Sequence, residues 1–201
     1  MSEYALAAFV FGLAAGFTPG PLSIIVIQQT LDHGLKNGIK AAIAPIISDG
    51  PIIFFVYILF NKFQDIDLFI GVISLLGALF LFWIAIKMSA VNDVNISTRS
   101  EKANSLSTAV KVNLLNPHAY IFWFTVGGAY IASGTKLEAI TFVFIMISTL
   151  ILSKIFLASL ISKFRKFLNS NSYLWMMRTL GLLLGMFSFL LLYRSYNILF
   201  V

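Results

Sequence analysis

The sequence has no cysteine and few charged residues, and both absences restrict what the protein can be. Without cysteine there are no disulfides, no thiol redox chemistry and no thiolate metal sites. Only 11% of the residues are charged, against roughly 25% in soluble domains, while 59% are hydrophobic. No hydrophilic stretch is long enough to form a separate soluble domain. The composition therefore predicts an integral membrane protein.

The sequence also lacks the patterns of common catalytic and nucleic-acid sites. It has two histidines, which without cysteine do not make a convincing transition-metal site. It has no nucleophile–base pair, phosphate-binding glycine loop or metal-ligand motif. We therefore expect no enzyme activity, no cofactor and no bound metal. The net charge of +6 is spread over the connectors, so we do not interpret it as nucleic-acid binding.

Apolar runs long enough to cross a bilayer recur along the chain. A spanning helix needs about 20 such residues. Glu3 is the only charged residue before the first run, so the basic region of a signal peptide is missing, and we expect a spanning helix there rather than a cleavable signal peptide. We predict an all-α, polytopic membrane protein with a single domain over 1–201 and six transmembrane helices. Their predicted ranges are about 4–31, 39–60, 67–88, 109–132, 138–161 and 175–196.

Lysine and arginine are distributed unequally between the two sides of the predicted bundle. Ten lie on the side of the first, third and fifth connectors, and three lie on the opposite side. Because cytoplasmic loops carry the Lys/Arg excess, we predict a multi-pass protein of the cell (inner) membrane with both termini outside. The ten are Lys36, Lys40, Lys87, Arg99, Lys102, Lys111, Lys163, Arg165, Lys166 and Arg178, and the three are Lys62, Lys136 and Arg194.

All five prolines lie inside apolar runs, and two groups of them break predicted spans. Proline removes a helix hydrogen bond and clashes with the preceding turn. Unpaired backbone in hydrocarbon costs several kcal/mol, so a broken helix is tolerated there only where it lines a cavity or is otherwise satisfied. We predict a binding or permeation site at the two breaks. Its backbone and polar members are Thr18, Pro19, Gly20, Pro21, Asn113, Asn116 and Pro117.

The two breaks occupy corresponding positions, in the first helix of each half of the chain. Repeat 1 covers about 1–89 and repeat 2 about 107–201, joined by a polar loop from Ala90 to Ser107. Because each half has three helices, the second half enters the membrane from the opposite face. Paired interruptions of this kind are typical of inverted-repeat transporters with a midplane site. An alternative for Asn113 and Asn116 is that they only cap freed backbone.

Asp49 is a carboxylate near the middle of the second predicted span. A carboxylate at that depth costs about 2.5–3.5 kcal/mol on insertion scales and needs a partner or a polar cavity. Asp49 could carry a coupling proton or act as counter-ion to a substrate ammonium or Na⁺. The structural alternatives are an ion pair or a protonated, hydrogen-bonded acid.

Lys154, in the fifth predicted span, is also open to several interpretations. It could extend to the cytoplasmic surface, bind a substrate carboxylate or pair with Asp49. His118 is either a titrating group or a passive polar residue. Ser48 and Gln28 are further candidate wall residues. Trp83, Trp123 and Trp175 are interpreted as interfacial belt residues.

The motifs in their order resemble the LysE/RhtB family of amino-acid exporters. Thr18-Pro19-Gly20-Pro21, Gly34-x3-Gly38 and Asp49 eleven residues later are similar to the family's N-terminal signature. Further similar segments are Leu76–Leu81 running to Lys87, Asn113–Pro117 and Arg178-x2-Gly181-x3-Gly185, so the resemblance extends over nearly the whole chain. The chain departs from the usual pattern at Ala44 and Ser48, where glycines are common, at Gly50-Pro51, which is not the commonest form, and at His118, where lysine is frequent.

The resemblance implies six helices in two inverted repeats and export of amino acids or related zwitterions, driven by the proton gradient. The expected partners are a small-molecule substrate, H⁺ as coupling ion and the lipid bilayer, and self-association into a homo-oligomer is left open. We predict that Asp49 binds the substrate ammonium or carries the proton. The broken backbone would bind the carboxylate or a coupling ion. The alternatives are an inorganic cation transporter and a non-transporting membrane protein.

Overall fold

The computed structural model describes residues 2–59, 67–90, 104–165 and 170–200. Within these ranges the chain is helical and forms no strand. Most of the predicted loop from Ala90 to Ser107 lies outside the described residues, as do Lys62, Arg99, Lys102 and Lys166. The helices are α1 Ser2–Phe17, α2 Pro21–His33, α3 Leu35–Ala42, α4 Ala44–Leu59, α5 Asp67–Ser89, α6 Ser105–Leu114, α7 Pro117–Phe122, α8 Gly128–Ser133, α9 Lys136–Arg165 and α10 Ser170–Phe200, with a π-helical segment Trp123–Gly127 between α7 and α8.

Helix length and hydropathy support a multi-pass membrane fold. Three segments of the described chain are long and apolar enough to cross a bilayer, Leu35–Phe55, Lys136–Phe164 and Leu174–Leu199, and the bent pair α1 and α2 is a fourth if counted as one span. The predicted span 67–88 corresponds to α5, and 109–132 to the shorter elements from α6 to α8. The all-helical membrane fold is confirmed, and the count of six spans stays a prediction.

Large apolar side chains on the outer faces of the helices fit a lipid surrounding. Phe144 on α9 is 71% exposed and Leu182 on α10 is 69% exposed. In a soluble protein, contiguous exposed apolar surface on this scale would favour aggregation, whereas hydrocarbon is the solvent that such side chains prefer. The outer face therefore agrees with the composition.

Two helix pairs dominate the packing. The largest contact joins α5 to α10, and the next joins α1 to α9. Gly12 and Gly16 on α1 lie against Thr149 and Ser153 on α9, where a Cβ at either glycine would collide with the opposing side chain. Small residues at this four-residue spacing let helix backbones approach closely, so α1 and α9 are held together along their length.

The remaining helices complete two apolar clusters. The first is formed mainly by α2, α3, α5, α6 and α10 around Leu31, Val112 and Leu184. The second is formed mainly by α1, α7, α9 and the π-helical segment around Trp123 and Phe142. The two predicted helix breaks lie where these clusters meet, and this junction positions the candidate site.

Candidate functional site

The first break separates α1 from α2 and bends the chain by 59°. α1 ends at Phe17 because neither Pro19 nor Pro21 can donate to its hydrogen-bond ladder. Pro21 then starts α2, a position where its missing N–H is not needed. Gly20 precedes it in an extended conformation and makes no side-chain cap. The break therefore leaves carbonyls at the end of α1 and uncapped N–H groups at the start of α2.

Lys154 of α9 fills the carbonyl end of this break. Its Nζ donates to the Gly16 carbonyl at 2.7 Å, to the Ser23 hydroxyl at 2.5 Å and, at the longer distance of 3.4 Å, to the Ala15 carbonyl. The Ser23 hydroxyl in turn donates to the Thr18 carbonyl at 3.0 Å. Lys154 is 3% exposed, so it lies inside the protein and does not extend to the cytoplasmic surface.

The second break separates α6 from α7 and is satisfied by neighbours in sequence. Asn116 caps α7, its side-chain oxygen accepting from the His118 N–H at 3.2 Å. The Tyr120 hydroxyl donates to the Leu114 carbonyl at 2.9 Å. Pro117 occupies the first position of α7, as Pro21 does in α2. The second break is thus capped locally, whereas the first depends on a distant helix.

Asp49 of α4 joins the second break through its carboxylate. Oδ1 accepts from the Asn113 amide at 2.6 Å and lies 3.4 Å from the Ser48 hydroxyl. Oδ2 accepts from the Trp123 indole N–H at 3.3 Å. The Asn113 amide also donates to Ser48 Oγ at 2.7 Å. Asp49 is 4% exposed, so these neutral donors replace the water that a carboxylate requires.

Trp123 corrects the interpretation of this residue as an interfacial belt residue. It is 1% exposed and bonds to Asp49, whereas Trp83 and Trp175 are 51% and 71% exposed. Trp123 opens the π-helical segment, in which the helix takes up an additional residue per turn. Gly127, at the end of that segment, lies directly against the Trp123 ring and has no side chain to displace it.

One cavity of about 380 Å³ connects the two breaks. Its charged side chains are Asp49 and Lys154, which make no ion pair with each other within 4.0 Å. The pairing of Lys154 with Asp49 considered above is therefore not formed. Many of the other lining residues are apolar, among them Leu22, Ala119, Phe122, Met146, Leu150 and Phe187.

Eight of the nine predicted site residues line this cavity. Pro117 does not line the cavity. It begins α7, which contributes the lining residues Ala119 and Phe122. Gln28, a candidate wall residue, is also outside it and donates to Asp32 at 3.1 Å. Ser23, which the sequence analysis missed, links Lys154 to the backbone of the break. The eight are Thr18, Pro19, Gly20, Pro21, Asp49, Asn113, Asn116 and Lys154, with His118 as a further lining residue.

Comparison with known proteins gives the family. Residues 13–195 match the family model described as LysE type translocator. The chain belongs to the LysE type translocators. The match spans both helix breaks, Asp49 and Lys154, so the whole cavity is part of the shared domain. The resemblance seen in the sequence motifs is confirmed.

Two curated relatives agree with this family. A leucine efflux protein of Enterobacter sp. (strain 638) is 25% identical over 159 residues, which is 70% of this chain and 74% of that protein. A leucine efflux protein of Klebsiella pneumoniae subsp. pneumoniae is 24% identical over 149 residues, which is 71% of this chain and 70% of that protein. No solved structure matches the chain significantly.

Membership of the LysE type translocators makes this chain a membrane transporter and not an enzyme. The prediction of a transport function is confirmed, and the alternative of a non-transporting membrane protein is set aside. Membership of this family implies a small-molecule cargo and a surrounding bilayer. The cavity between the breaks is lined by two buried charged side chains, Asp49 and Lys154.

Proposed function

We propose that this protein exports amino acids with an apolar side chain, with leucine as the representative substrate. The observation that carries the proposal is the composition of the cavity wall. One carboxylate, Asp49, and one ammonium, Lys154, face the same space with apolar side chains between them. A zwitterion with an apolar substituent has the complementary distribution of charge, and the relatives that are named for leucine efflux agree with it.

Asp49 is suited to bind the substrate ammonium because its carboxylate keeps free acceptor capacity. An ionised carboxylate offers about four lone-pair positions. Among the described residues, Oδ1 lies near two donors, Asn113 and Ser48, whereas Oδ2 lies near one, the Trp123 indole N–H. A second donor at Oδ2 would make a charge-assisted hydrogen bond, the strong kind in a water-poor site. Asn113 and Trp123 hold the carboxylate in position for it.

The carboxylate end of the substrate would bind at the start of α2. Gly20, Pro21 and Leu22 line the cavity there, and no side chain caps the helix. The N–H groups of a first helical turn attract anions through their partial positive charge. Lys154 lies beside this end and adds a full positive charge without needing to touch the substrate. In many transporters, half-helix N-termini bind the anionic group of the substrate in this way.

The size of the cavity agrees with a small amino acid. Its volume of about 380 Å³ falls at the lower end of the roughly 300–1,000 Å³ found for small-molecule sites. The apolar walls from Phe122, Met146 and Leu150 offer burial to an aliphatic side chain, worth about 1.5–3 kcal/mol for one of leucine size. A charged side chain would lose its hydration there without a partner. We therefore expect leucine, isoleucine, valine and methionine to be transported better than lysine or glutamate.

We further propose six helices in two inverted repeats. The helix contacts support this arrangement, because α1 of the first half packs on α9, and α6 of the second half packs on α4. In the predicted spans, α1 belongs to the first, α4 to the second, α6 to the fourth and α9 to the fifth. The two contacts are therefore equivalent if the first span corresponds to the fourth and the second span corresponds to the fifth. The contact between α5 and α10 then joins equivalent third helices.

For orientation and coupling we propose that both termini lie outside and that protons drive export. Because the native chain has no cysteine, a single cysteine introduced at Ser2 would report its side of the membrane through an impermeant maleimide.

Asp49 is the proposed carrier of the coupling proton, since it is the buried carboxylate among the residues whose burial is described. The proton and the substrate ammonium could not bind to one carboxylate at the same time. This competition would couple proton entry to substrate export.

The decisive experiment is transport by the purified protein in liposomes. Vesicles loaded with radiolabelled leucine and placed in more acidic medium should lose label faster than protein-free vesicles, and a protonophore should remove the difference. Unlabelled isoleucine should compete and glutamate should not. The absence of efflux for every member of a panel of amino acids would contradict the proposal.

An inorganic cation as cargo is less well supported. Such a cargo needs several converging oxygen ligands, and in the described part of the chain no three Asp, Glu, His or Cys residues are grouped to hold a metal ion. Asn113 also directs its amide hydrogens, not its oxygen, toward Asp49. Ca²⁺, Mg²⁺ and Mn²⁺ in the same liposomes serve as the test of this alternative.

A further inference from the structure

The Lys154 ammonium makes contacts that resemble the coordination of an ion more than those of a salt bridge. Its neighbours are three oxygens, the carbonyls of Gly16 and Ala15 and the hydroxyl of Ser23, on both sides of the first break. An ammonium has three N–H donors, and here each has an oxygen partner. Within the described ranges, no carboxylate approaches it within 4.0 Å. Its charge is therefore balanced by neutral oxygen dipoles.

The end of α1 is suited to hold a small cation for independent reasons. The last carbonyls of a helix carry partial negative charge. Pro19 has no N–H to pair the Ala15 carbonyl one turn back, and Gly20 is extended and outside α1, so the helix does not pair the Gly16 carbonyl. Gly16 lies against Ser153 of α9, so the carbonyl is fixed beside the helix that bears Lys154. Unwound carbonyls of this type coordinate Na⁺ in other transporter folds.

We infer that the carbonyl end of α1 is a monovalent-cation site that the chain fills with its own lysine. Lys154 is a tethered cation, and the oxygens of Ala15, Gly16 and Ser23 are its ligands. Removing the side chain while leaving the oxygens would therefore open a site for Na⁺, K⁺ or a small alkylammonium ion. The consequence for transport, which rests on the proposed function, is that export by the native protein does not require Na⁺.

The first test measures stability and needs no substrate. Lys154→Ala and the native protein are unfolded by heat in chloride salts of Na⁺, K⁺, methylammonium and choline at equal ionic strength. Choline is the large-cation reference that the site should not admit. For a site half-saturated near 10 mM and a salt concentration of 100 mM, mass action predicts a rise in Tm of about 3–6 °C for the variant in a fitting cation. The native protein should show no such difference among the salts.

A matched control separates the site from a general salt effect. Lys36→Ala removes an exposed lysine of α3 outside the cavity and should respond to the four salts as the native protein does. Equal responses of Lys154→Ala and Lys36→Ala would overturn the inference. Recovery of folded Lys154→Ala only in a small-cation salt would support it, and failure to recover the variant in any of the four salts would overturn it.

A second variant tests whether the charge itself is needed. Lys154→Gln keeps N–H donors for the carbonyls and removes the charge, so it should fold and lose at least about ten-fold in leucine efflux. Efflux at the native rate by Lys154→Gln would overturn the inference, as would a requirement of the native protein for Na⁺ when choline replaces it. If the native protein moves no amino acid but Lys154→Ala is stabilised by small cations, the proposed function fails and the cation site stands.

Discussion

The two helix breaks have the same origin in proline and are stabilised in different ways. At the first break, between α1 and α2, the freed carbonyls bind an ammonium from α9, 138 residues away along the chain. At the second break, between α6 and α7, Asn116 and Tyr120 cap the backbone locally. The nearby charge at the second break is negative and comes from Asp49 of α4. One break therefore carries a positive group and the other a negative one.

Each half of the chain contributes a charged side chain that contacts the helix break of the other half. Asp49 belongs to the first half and contacts Asn113 of the second, while Lys154 belongs to the second half and contacts Gly16 of the first. The cavity between them consequently has a positive and a negative end, which a symmetric pair of breaks would lack. The dipolar cargo proposed above would gain from that polarity, and neither half alone would supply it. Four substitutions test the comparison, from the largest expected effect to the smallest.

Asp49→Asn should have the largest effect. It removes the negative end of the cavity and keeps the volume of the side chain. A hydrogen bond to a charged group is worth about 1.5–3 kcal/mol, so leucine efflux should fall about ten- to hundred-fold. The measurement is the initial rate of efflux from proteoliposomes. Asp32→Asn, at the end of α2 and outside the cavity, is the control and should leave the rate near the native value. Native efflux by Asp49→Asn would refute its role.

Gly77→Ala tests the support of the second break. A Cβ on Gly77 of α5 would collide with the Leu115 carbonyl, which is backbone and has no side chain to shorten. Overpacking of this kind costs about 1–3 kcal/mol, and we expect a value near the upper end. Thermal unfolding in detergent measures it. Gly185→Ala, at a site with open space around the glycine, is the matched control, and an equal Tm for the two variants would contradict the expectation.

Gly16→Ala tests the support of the first break, where the obstacle is a side chain. Its Cβ would collide with the Cβ and Oγ of Ser153. The single substitution should destabilise by about 1–2 kcal/mol, and the double variant Gly16→Ala/Ser153→Gly should recover most of the loss. The same unfolding assay applies. If the double variant is no more stable than the single one, α1 and α9 are not held at this contact.

Tyr120→Phe should have the smallest effect and should act on the second break alone. It removes the hydroxyl that donates to the Leu114 carbonyl at 2.9 Å. The loss of one neutral hydrogen bond costs about 0.5–1.5 kcal/mol. Unfolding should shift accordingly, while the stabilisation of Lys154→Ala by small cations stays the same in the double variant. A change in that cation response would mean that the two breaks are not independently stabilised.

The sequence predicted the breaks and Asp49 because both depend on local chemistry. Proline interrupts a helix wherever it falls in an apolar run, and a carboxylate in such a run is conspicuous by its solvation cost. The contacts of Lys154 were not predictable. The sequence gives its position along the fifth span, and that position is the same whether the side chain faces lipid, extends to the surface or enters a cavity. Trp123 was misplaced because the amphipathic indole suits a membrane interface and a buried polar contact equally, and the sequence does not show that Asp49 lies beside it.

The reach of Lys154 to the first break also has a consequence for how the protein is made. Chains are synthesised from the N-terminus, so α1 and α2 enter the membrane long before α9 exists. Until then the carbonyls of Ala15 and Gly16 have no lysine, and water or a free cation must serve them. The second break is different, since Asn116 and Tyr120 emerge with it and Asp49 has already been made. The 59° bend of the first break therefore becomes fixed late in biogenesis, when α9 is inserted.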